Sequence, residues 1–208
     1  MNAAATAVRC TPQARVTRSL LGYGIVAGPF YVAVSMVQGL TKDGFDFGRH
    51  AWSMMANGPY GWIQTANLIL TGLMVVAFAA GLRRAGAGRV SWPVGAFGVG
   101  MVGGGVFPAD PGFGFPAGTP DGPGAISVDG VLHFAVGGVG FLCLIVAAFL
   151  LARRFAPALT RIVAVVFLIG WGCVAAGGGA VWANLAFTAS IIVVWGWLTA
   201  FAVHEYRR

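Results

Sequence analysis

The sequence predicts an all-α membrane protein, a bundle of six transmembrane helices with both termini in the cytoplasm. This prediction depends on the composition, on the spacing of apolar stretches and on the distribution of basic residues. Of the 208 residues, 58% are hydrophobic and 9% are charged, whereas roughly 25% are charged in soluble domains. We therefore expect one membrane domain over residues 19–206 and no separate soluble domain.

Six apolar stretches give the predicted helices, and each approaches the roughly 20 residues that a hydrocarbon core of about 30 Å requires. They cover residues 19–40, 60–82, 91–107, 129–151, 162–180 and 183–203. The third is short and rich in glycine, which membrane helices tolerate better than soluble helices do. The last two are nearly contiguous, so we expect a tight helical hairpin near residues 177–183.

Basic residues fall almost entirely on one side of the predicted bundle. Of the 13 basic residues, only Lys42 and Arg49 fall on the other side. The positive-inside rule places the basic side in the cytoplasm, in a multi-pass protein of the plasma membrane. Residues 1–18 are predicted to be a disordered basic tail. Because the basic residues are scattered between apolar blocks, no nucleic-acid partner is expected.

Two connections on the extracytoplasmic side hold most of the polar residues. In the first, at about 41–59, Asp46 is the candidate N-cap of a short interfacial helix that ends at Gly58. The second, at about 108–128, contains five of the ten prolines together with Phe113 and Phe115. A long connection is typical of a functional or a disordered segment, and the aromatic residues favour a lid folded onto the bundle.

Two Asp/His pairs border these connections. Asp46 precedes His50 by four residues, as Asp129 precedes His133, so each pair would share a helix face. With Asp110, these residues are expected to converge on one site. His50, His133 and Asp110 are candidate ligands of a divalent metal that would activate water for hydrolysis. Alternatively, the aspartates cap helices and orient the histidines, or both histidines ligate one haem.

Other polar residues have two interpretations each. Arg49 would form an ion pair with the nearby aspartates or hold a lipid phosphate with its planar guanidinium. Gln64, Asn67 and Thr71 form a polar stripe on the second helix, which would serve helix–helix hydrogen bonding or line a buried pocket.

Small and aromatic residues suggest how the bundle packs. Glycines spaced by four, at Gly24 and Gly28 and at Gly100 and Gly104, allow helix backbones to approach closely. They would pack the bundle itself or support a homo-oligomer. Tryptophans near the helix ends, Trp52 among them, are expected in interfacial belts.

Four strings run along the chain in order: residues 46–53, GWIQTANLILTG at 61–72, FPADP at 107–111 and SVDGVLH at 127–133. On these strings the chain resembles the bacterial and archaeal six-helix membrane proteins catalogued as domain of unknown function 998. The resemblance covers nearly the whole chain, and it implies a fold and a location but no established activity. The polar positions it implies are Asp46, Arg49, Asp110, Pro111, Ser127 and His133.

The leading functional hypothesis is an extracytoplasmic polar pocket, covered by the lid, that binds a lipid headgroup or a small amphiphile. Its candidate residues are Asp46, Arg49, His50, Gln64, Asn67, Asp110, Ser127, Asp129 and His133. The alternatives are a membrane-embedded metal-dependent hydrolase and a structural or partner-binding membrane subunit. Apart from the divalent metal and the haem alternative, no cofactor is expected. Proton-coupled transport is disfavoured, because no Asp, Glu, Lys or Arg falls near the middle of a predicted span.

Overall fold

Six long helices account for most of the chain in the computed structural model, which describes residues 11–208. They are α1 (Pro12–Thr41), α2 (Gly61–Arg84), α3 (Gly88–Val106), α4 (Val128–Leu151), α5 (Pro157–Ala176) and α6 (Val181–Arg207). A short 3₁₀ helix, Trp52–Ala56, lies between α1 and α2, and no strand occurs within residues 11–208. The prediction of an all-α fold is confirmed.

Five of the six helices are long and apolar enough to cross a membrane, which confirms the multi-pass membrane class. The exception is α3, because seven of its 19 residues are glycine and glycine adds little apolar surface. Even so, α3 packs between α2 and α4.

The first helix begins earlier than the sequence predicted. Pro12 occupies its first turn, and the Thr11 hydroxyl accepts a hydrogen bond from the Ala14 N–H at 3.2 Å. A threonine N-cap followed by proline is a strong helix start. The prediction of a disordered tail is therefore wrong for residues 12–18, and its first ten residues lie outside the described part of the chain.

The helices form a closed ring. Each packs against its neighbours in sequence, and α6 returns to pack against α1. The contact between α4 and α5 is the least extensive around the ring. A ring of six helices leaves space along its axis unless side chains fill it, and the cavity described below occupies part of that space.

Glycines set the closest helix crossings. A Cβ atom on Gly72 would lie 2.6 Å from the Gly98 carbonyl oxygen, and one on Gly98 would lie 2.7 Å from the Gly72 oxygen. In the α3–α4 crossing, a Cβ on Gly100 would lie 2.8 Å from the Gly140 Cα. Glycine is thus required where backbone touches backbone. The glycines that make α3 weakly apolar also allow it to pack closely against its neighbours in the ring.

The predicted glycine pairs also lie at helix contacts. A Cβ on Gly24 would meet the Phe78 ring at 2.5 Å, and one on Gly28 would meet Thr199, while Gly104 faces His133. These glycines pack the bundle itself, and homo-oligomerisation stays a prediction.

Basic residues gather at one end of the ring, which we call the basic end. It holds Arg15, Arg18, Arg83, Arg84, Arg89, Arg153, Arg154, Arg161, Arg207 and Arg208. Contacts across it include Arg84 Nε donating to Thr17 Oγ1 at 3.1 Å and Arg18 stacked 4.7 Å above the Tyr206 ring. The opposite end, the loop end, consists of residues 42–60, 107–127 and 177–180.

The predicted hairpin between the last two helices is present, although α5 ends at Ala176 and not near residue 180. Gly178 and Gly179 follow with φ angles of 54° and 84°. Such left-handed conformations suit glycine and stop the helix.

The short helix of the first loop differs from the prediction. Asp46 is not its N-cap, because the Asp46 Oδ1 atom accepts a hydrogen bond from Gly48 N at 2.7 Å and closes a separate turn. The 3₁₀ helix begins only at Trp52, which is 1% exposed. The prediction of an interfacial position for Trp52 is therefore wrong, since the ring is packed inside the bundle.

Candidate functional site

A cavity of about 420 Å³ lies inside the helix ring and reaches the loop end. Its size falls within the range of small-molecule sites, roughly 300–1,000 Å³. Side chains of all six helices line it, most of them from α3, α4, α5 and α6. Segments 49–54, 109–113 and 123–126 cover its outer end.

Eight of the aromatic rings that line the cavity form a connected set, which we call the aromatic belt. Its members are Tyr31, Trp52, Phe97, Phe141, Phe167, Trp171, Phe187 and Trp195. Each ring centroid lies 5.1–6.4 Å from that of another member, so the belt is continuous. The Trp52 indole N–H donates to Thr188 Oγ1 at 3.0 Å. These spacings are typical of favourable aromatic pairs, which hold one another in place.

Polar side chains line the cavity mainly near the loop end, which we call the mouth. They are Arg49, Ser53, Asp110, His133 and Asn184. The cavity therefore has an apolar interior and a polar mouth.

Two lining residues of the cavity are also exposed on the surface of the bundle. Ile126 and Phe134, near the start of α4, are 84% and 70% exposed. The contact between α4 and α5 is the least extensive in the ring.

His133 is oriented by the end of α3. Its Nδ1 atom lies 3.1 Å from the Gly104 carbonyl oxygen and 2.8 Å from that of Phe107. Because both partners only accept, Nδ1 carries a proton. His133 is thus fixed by backbone carbonyls, and not by Asp129, which is exposed.

Asp110 takes part in the hydrogen bonds that cap the N-terminus of α4. Its carboxylate oxygens accept hydrogen bonds from Ser127 N at 3.0 Å and Ser127 Oγ at 2.5 Å. The Ser127 hydroxyl in turn accepts from Gly130 N at 3.0 Å, as an N-cap does. A Cβ atom on Gly130 would overlap the Asp110 carboxylate. Asp110 is therefore held by a capping network that also benefits from the positive end of the helix dipole.

Arg49 is exposed and lines the mouth. Across residues 11–208 the one ion pair joins Arg208 to Glu205 at the basic end. The Arg49 guanidinium therefore forms no ion pair with a described aspartate, contrary to the first of its two interpretations.

His50 lies outside the cavity, between the two long loops. Its Nδ1 atom accepts from the Asp46 backbone N–H at 2.9 Å, and its Nε2 donates to the Phe113 carbonyl at 3.0 Å. Both ring nitrogens are thus used by backbone groups. Asp46 is exposed and, like Asp129, does not line the cavity.

The structure therefore joins only part of the predicted site. Arg49, Asp110 and His133 line the mouth, whereas His50 does not. In residues 11–208, no three His, Cys, Asp or Glu side chains are grouped as metal ligands. Metal and haem binding remain sequence-based hypotheses without a ligand cluster in that range.

Gln64 and Asn67 lie in the α1–α2 contact and not on the cavity. Asn67 Nδ2 donates to the Tyr31 carbonyl at 3.1 Å and to Ser35 Oγ at 3.0 Å. Ser35 Oγ donates to Gln64 Oε1 at 3.2 Å, and Thr71 Oγ1 donates to Asn67 Oδ1 at 3.3 Å. This arrangement matches the helix–helix interpretation of the polar stripe.

The loop of residues 107–127 packs against the loop of residues 42–60. Besides the His50 contact, Asn57 Nδ2 donates to the Ala109 carbonyl at 2.9 Å. Phe115 is 1% exposed and packs with Phe45 and Met54. Backbone hydrogen bonds within the loop add to its order.

Lys42 reinforces this contact between the loops. Its Nζ atom donates to the Pro59 carbonyl at 2.6 Å and lies 5.7 Å from the Phe115 ring centroid. Partial burial lowers the pKa of this ammonium group below its usual value.

The sequence did not predict the aromatic belt. Its members come from five helices and one loop. A single aromatic residue in an apolar stretch does not indicate a binding site. One available signal was the spacing on α4, where His133, Gly137, Phe141 and Leu144 share a face.

One family model, described as a protein of unknown function (DUF998), matches residues 25–204. No curated protein and no solved structure matches the chain. The match begins within α1 and ends near the close of α6, so it covers α2 to α5 completely, α1 and α6 in part, and both loops over the cavity. The chain, an all-helical membrane protein whose six helices enclose an aromatic cavity, therefore belongs to the DUF998 family.

Proposed function

We propose that the chain binds a small amphiphile of the membrane in the cavity. The observation that carries the proposal is the polarity of the cavity, since its interior is aromatic and its polar side chains cluster at the mouth. Sites for small molecules commonly combine an apolar lining with a few convergent polar groups. The apolar part of the ligand would contact the belt, and its polar group would lie at the mouth.

Arg49 and His133 supply the polar contacts. The guanidinium donates hydrogen bonds, and His133 Nε2 accepts one when the ring is neutral. Asp110 shapes the mouth through its bonds to Ser127. A headgroup oxygen would therefore find donors at Arg49, and a headgroup hydroxyl would find an acceptor at His133.

The exposure of the lining residues Ile126 and Phe134 supports entry of the ligand from the bilayer. A lipophilic molecule would pass between α4 and α5 without crossing the aqueous phase. In this arrangement the loop of residues 107–127 acts as the lid over the outer end of the cavity.

We also propose that all six helices cross the plasma membrane, with the basic end in the cytoplasm and the loop end outside. The positive-inside rule supports this orientation. The close packing of α3 between α2 and α4 supports its crossing the membrane despite its low apolarity.

Cysteine labelling of intact cells tests the orientation and the α3 crossing. Single cysteines at exposed positions Asp43, Ala85, Ala117 and Ala158 are introduced after replacing Cys10, Cys143 and Cys173 with serine. A membrane-impermeant maleimide is expected to label positions 43 and 117, and to label 85 and 158 only after lysis. Labelling of 85 and 117 from the same side would disprove the α3 crossing.

Filling the cavity tests the binding function. A Cβ atom on Gly137 meets nothing within 4 Å, and Gly137 lines the cavity. Gly137→Leu is therefore expected to weaken binding of a fluorescent amphiphile, such as a pyrene-labelled fatty alcohol, at least tenfold without lowering the melting temperature. The measurement is saturable energy transfer from tryptophan to pyrene with the full chain in nanodiscs.

Gly172→Leu is the matched control for this experiment. Gly172 is exposed on α5, meets nothing within 4 Å and does not line the cavity. Its variant should bind like the unmodified protein. Equal binding by both variants would place the amphiphile elsewhere, and no saturable binding at all would favour a structural subunit.

A further inference from the structure

We infer that the ligand of this cavity is a planar, ring-containing lipophile with a hydroxyl or carbonyl oxygen at one end, and not a straight saturated chain. The inference rests on the proposed binding function and specifies its ligand class. Its basis is the combination of the aromatic belt, the glycine surfaces beside it and the polar pair at the mouth.

The belt offers flat and fixed surfaces. Tyr31 stacks on Trp52 with an interplanar angle of 26° and a centroid distance of 5.7 Å. Trp195 joins Tyr31 to Phe97 at centroid distances of 5.3 and 5.6 Å. Because these four residues are at most 5% exposed, their rings are held before a ligand arrives. A preorganised aromatic wall loses little conformational entropy on binding.

Phe141 carries the belt across to α5 and α6. Its centroid lies 5.1 Å from that of Phe167, 5.9 Å from that of Trp171 and 6.1 Å from that of Phe187. The rings of the belt, from five helices and one loop, thus surround one volume, which suits a molecule with breadth as well as length.

Glycines provide further flat surface. Gly100, Gly104, Gly137 and Gly138 line the cavity on α3 and α4. A Cβ atom on Gly138 would lie 3.3 Å from Trp171 Cζ2, so this indole lies beside bare helix backbone. Backbone without side chains lets a flat molecule approach closely.

Saturated chains and ring systems gain different amounts of binding free energy from aromatic walls. Both lose contact with water, but a ring system also makes offset or edge-to-face contacts with the belt. Two such contacts would strengthen binding by roughly tenfold over burial alone. The belt therefore discriminates by shape and by π interaction.

Arg49 and His133 determine which polar group the ligand carries at the mouth of the cavity. Arg49 has donors only, and Nε2 of a neutral His133 has a lone pair only. A hydroxyl satisfies both, and a carbonyl satisfies Arg49. The nearby Asp110 carboxylate already accepts two hydrogen bonds from Ser127. A single oxygen at the end of a ring system matches this pair.

The test compares two alcohols of equal carbon number, 1-pyrenemethanol and heptadecan-1-ol. Radiolabelled probes are equilibrated with the full chain in nanodiscs, and empty nanodiscs correct for partitioning into lipid. We expect saturable binding of 1-pyrenemethanol, at least tenfold tighter than that of heptadecan-1-ol. Gly137→Leu should weaken the binding of both.

Two variants test which residues contact the ring system and the hydroxyl group of the probe. Trp171→Leu is expected to weaken 1-pyrenemethanol binding by roughly tenfold and to leave heptadecan-1-ol nearly unchanged. Trp182→Leu is the control, because Trp182 is 64% exposed and lies outside the cavity. Arg49→Gln should weaken 1-pyrenemethanol but not unsubstituted pyrene.

The outcomes separate the inference from the proposed function. If heptadecan-1-ol binds as tightly as 1-pyrenemethanol, and Gly137→Leu weakens both, the ring preference is overturned while amphiphile binding stands. If neither probe binds saturably, the proposed function fails as well. Unchanged ring binding in Trp171→Leu would also overturn the inference.

Discussion

Replacing Gly98 with alanine is expected to lower the free energy of unfolding by about 2–3 kcal/mol, the cost of overpacking a close contact. The new Cβ would lie 2.7 Å from the Gly72 carbonyl oxygen and 2.9 Å from Val76 N on the facing helix. Backbone atoms cannot rotate away as a side chain does, so α2 and α3 would have to separate. The loss would be measured by denaturant unfolding of the purified protein in mild detergent.

Gly95→Ala is the matched control, three residues earlier on α3. Its Cβ would make an ordinary contact of 3.5 Å with the Ala79 Cβ. Since alanine favours a helix by up to about 1 kcal/mol over glycine, this variant should be neutral or slightly more stable. Equal stability of the two variants would contradict the close crossing of α2 and α3.

Replacing Gly130 with alanine should destabilise the protein by about 2 kcal/mol, because it disrupts a capping network. The added methyl group would displace the Asp110 carboxylate from its two bonds to Ser127. The start of α4 would fray, and the second long loop would lose its anchor at Asp110. Hydrogen exchange should therefore accelerate at residues 128–131 as the melting temperature falls.

Gly137→Ala, two turns later on the same helix, controls for the change in helix propensity. Nothing lies within 4 Å of its Cβ, so we expect no loss of stability. Asp110→Asn offers an independent check, since it keeps the size of the side chain but removes its charge. If Gly130→Ala melts like Gly137→Ala, Asp110 does not hold the start of α4.

Local sequence patterns were sufficient for the helices and for some of their packing. A run of about 20 apolar residues is a property of the segment itself, because each backbone group must be satisfied within its own helix in lipid. The glycine pairs at Gly24 and Gly28 marked close contacts for the same local reason. Phe113 and Phe115 led to the prediction of a lid; Phe115 is packed against Phe45 and Met54, and the lid itself stays a prediction.

The candidate site was predicted only in part, because equal spacing does not give equal surroundings. His50 and His133 each follow an aspartate by four residues, yet one is locked between loops and the other lines the mouth. The orientation of His133 comes from carbonyls at the end of α3, more than 25 residues away in sequence. No pattern around His133 encodes that contact.

The sequence by itself determined the all-helical membrane class, the approximate helices and the concentration of basic residues at one end, since hydropathy and charge act through each segment's own contact with its solvent. The tertiary structure alone decided which residues face the cavity. Contacts between distant elements, such as that between α1 and α6, set which face of each helix points inward, and in this fold Trp52 and Tyr31 are buried in the belt while Asp129 is exposed. These contacts join distant segments, so no single stretch of sequence contains them.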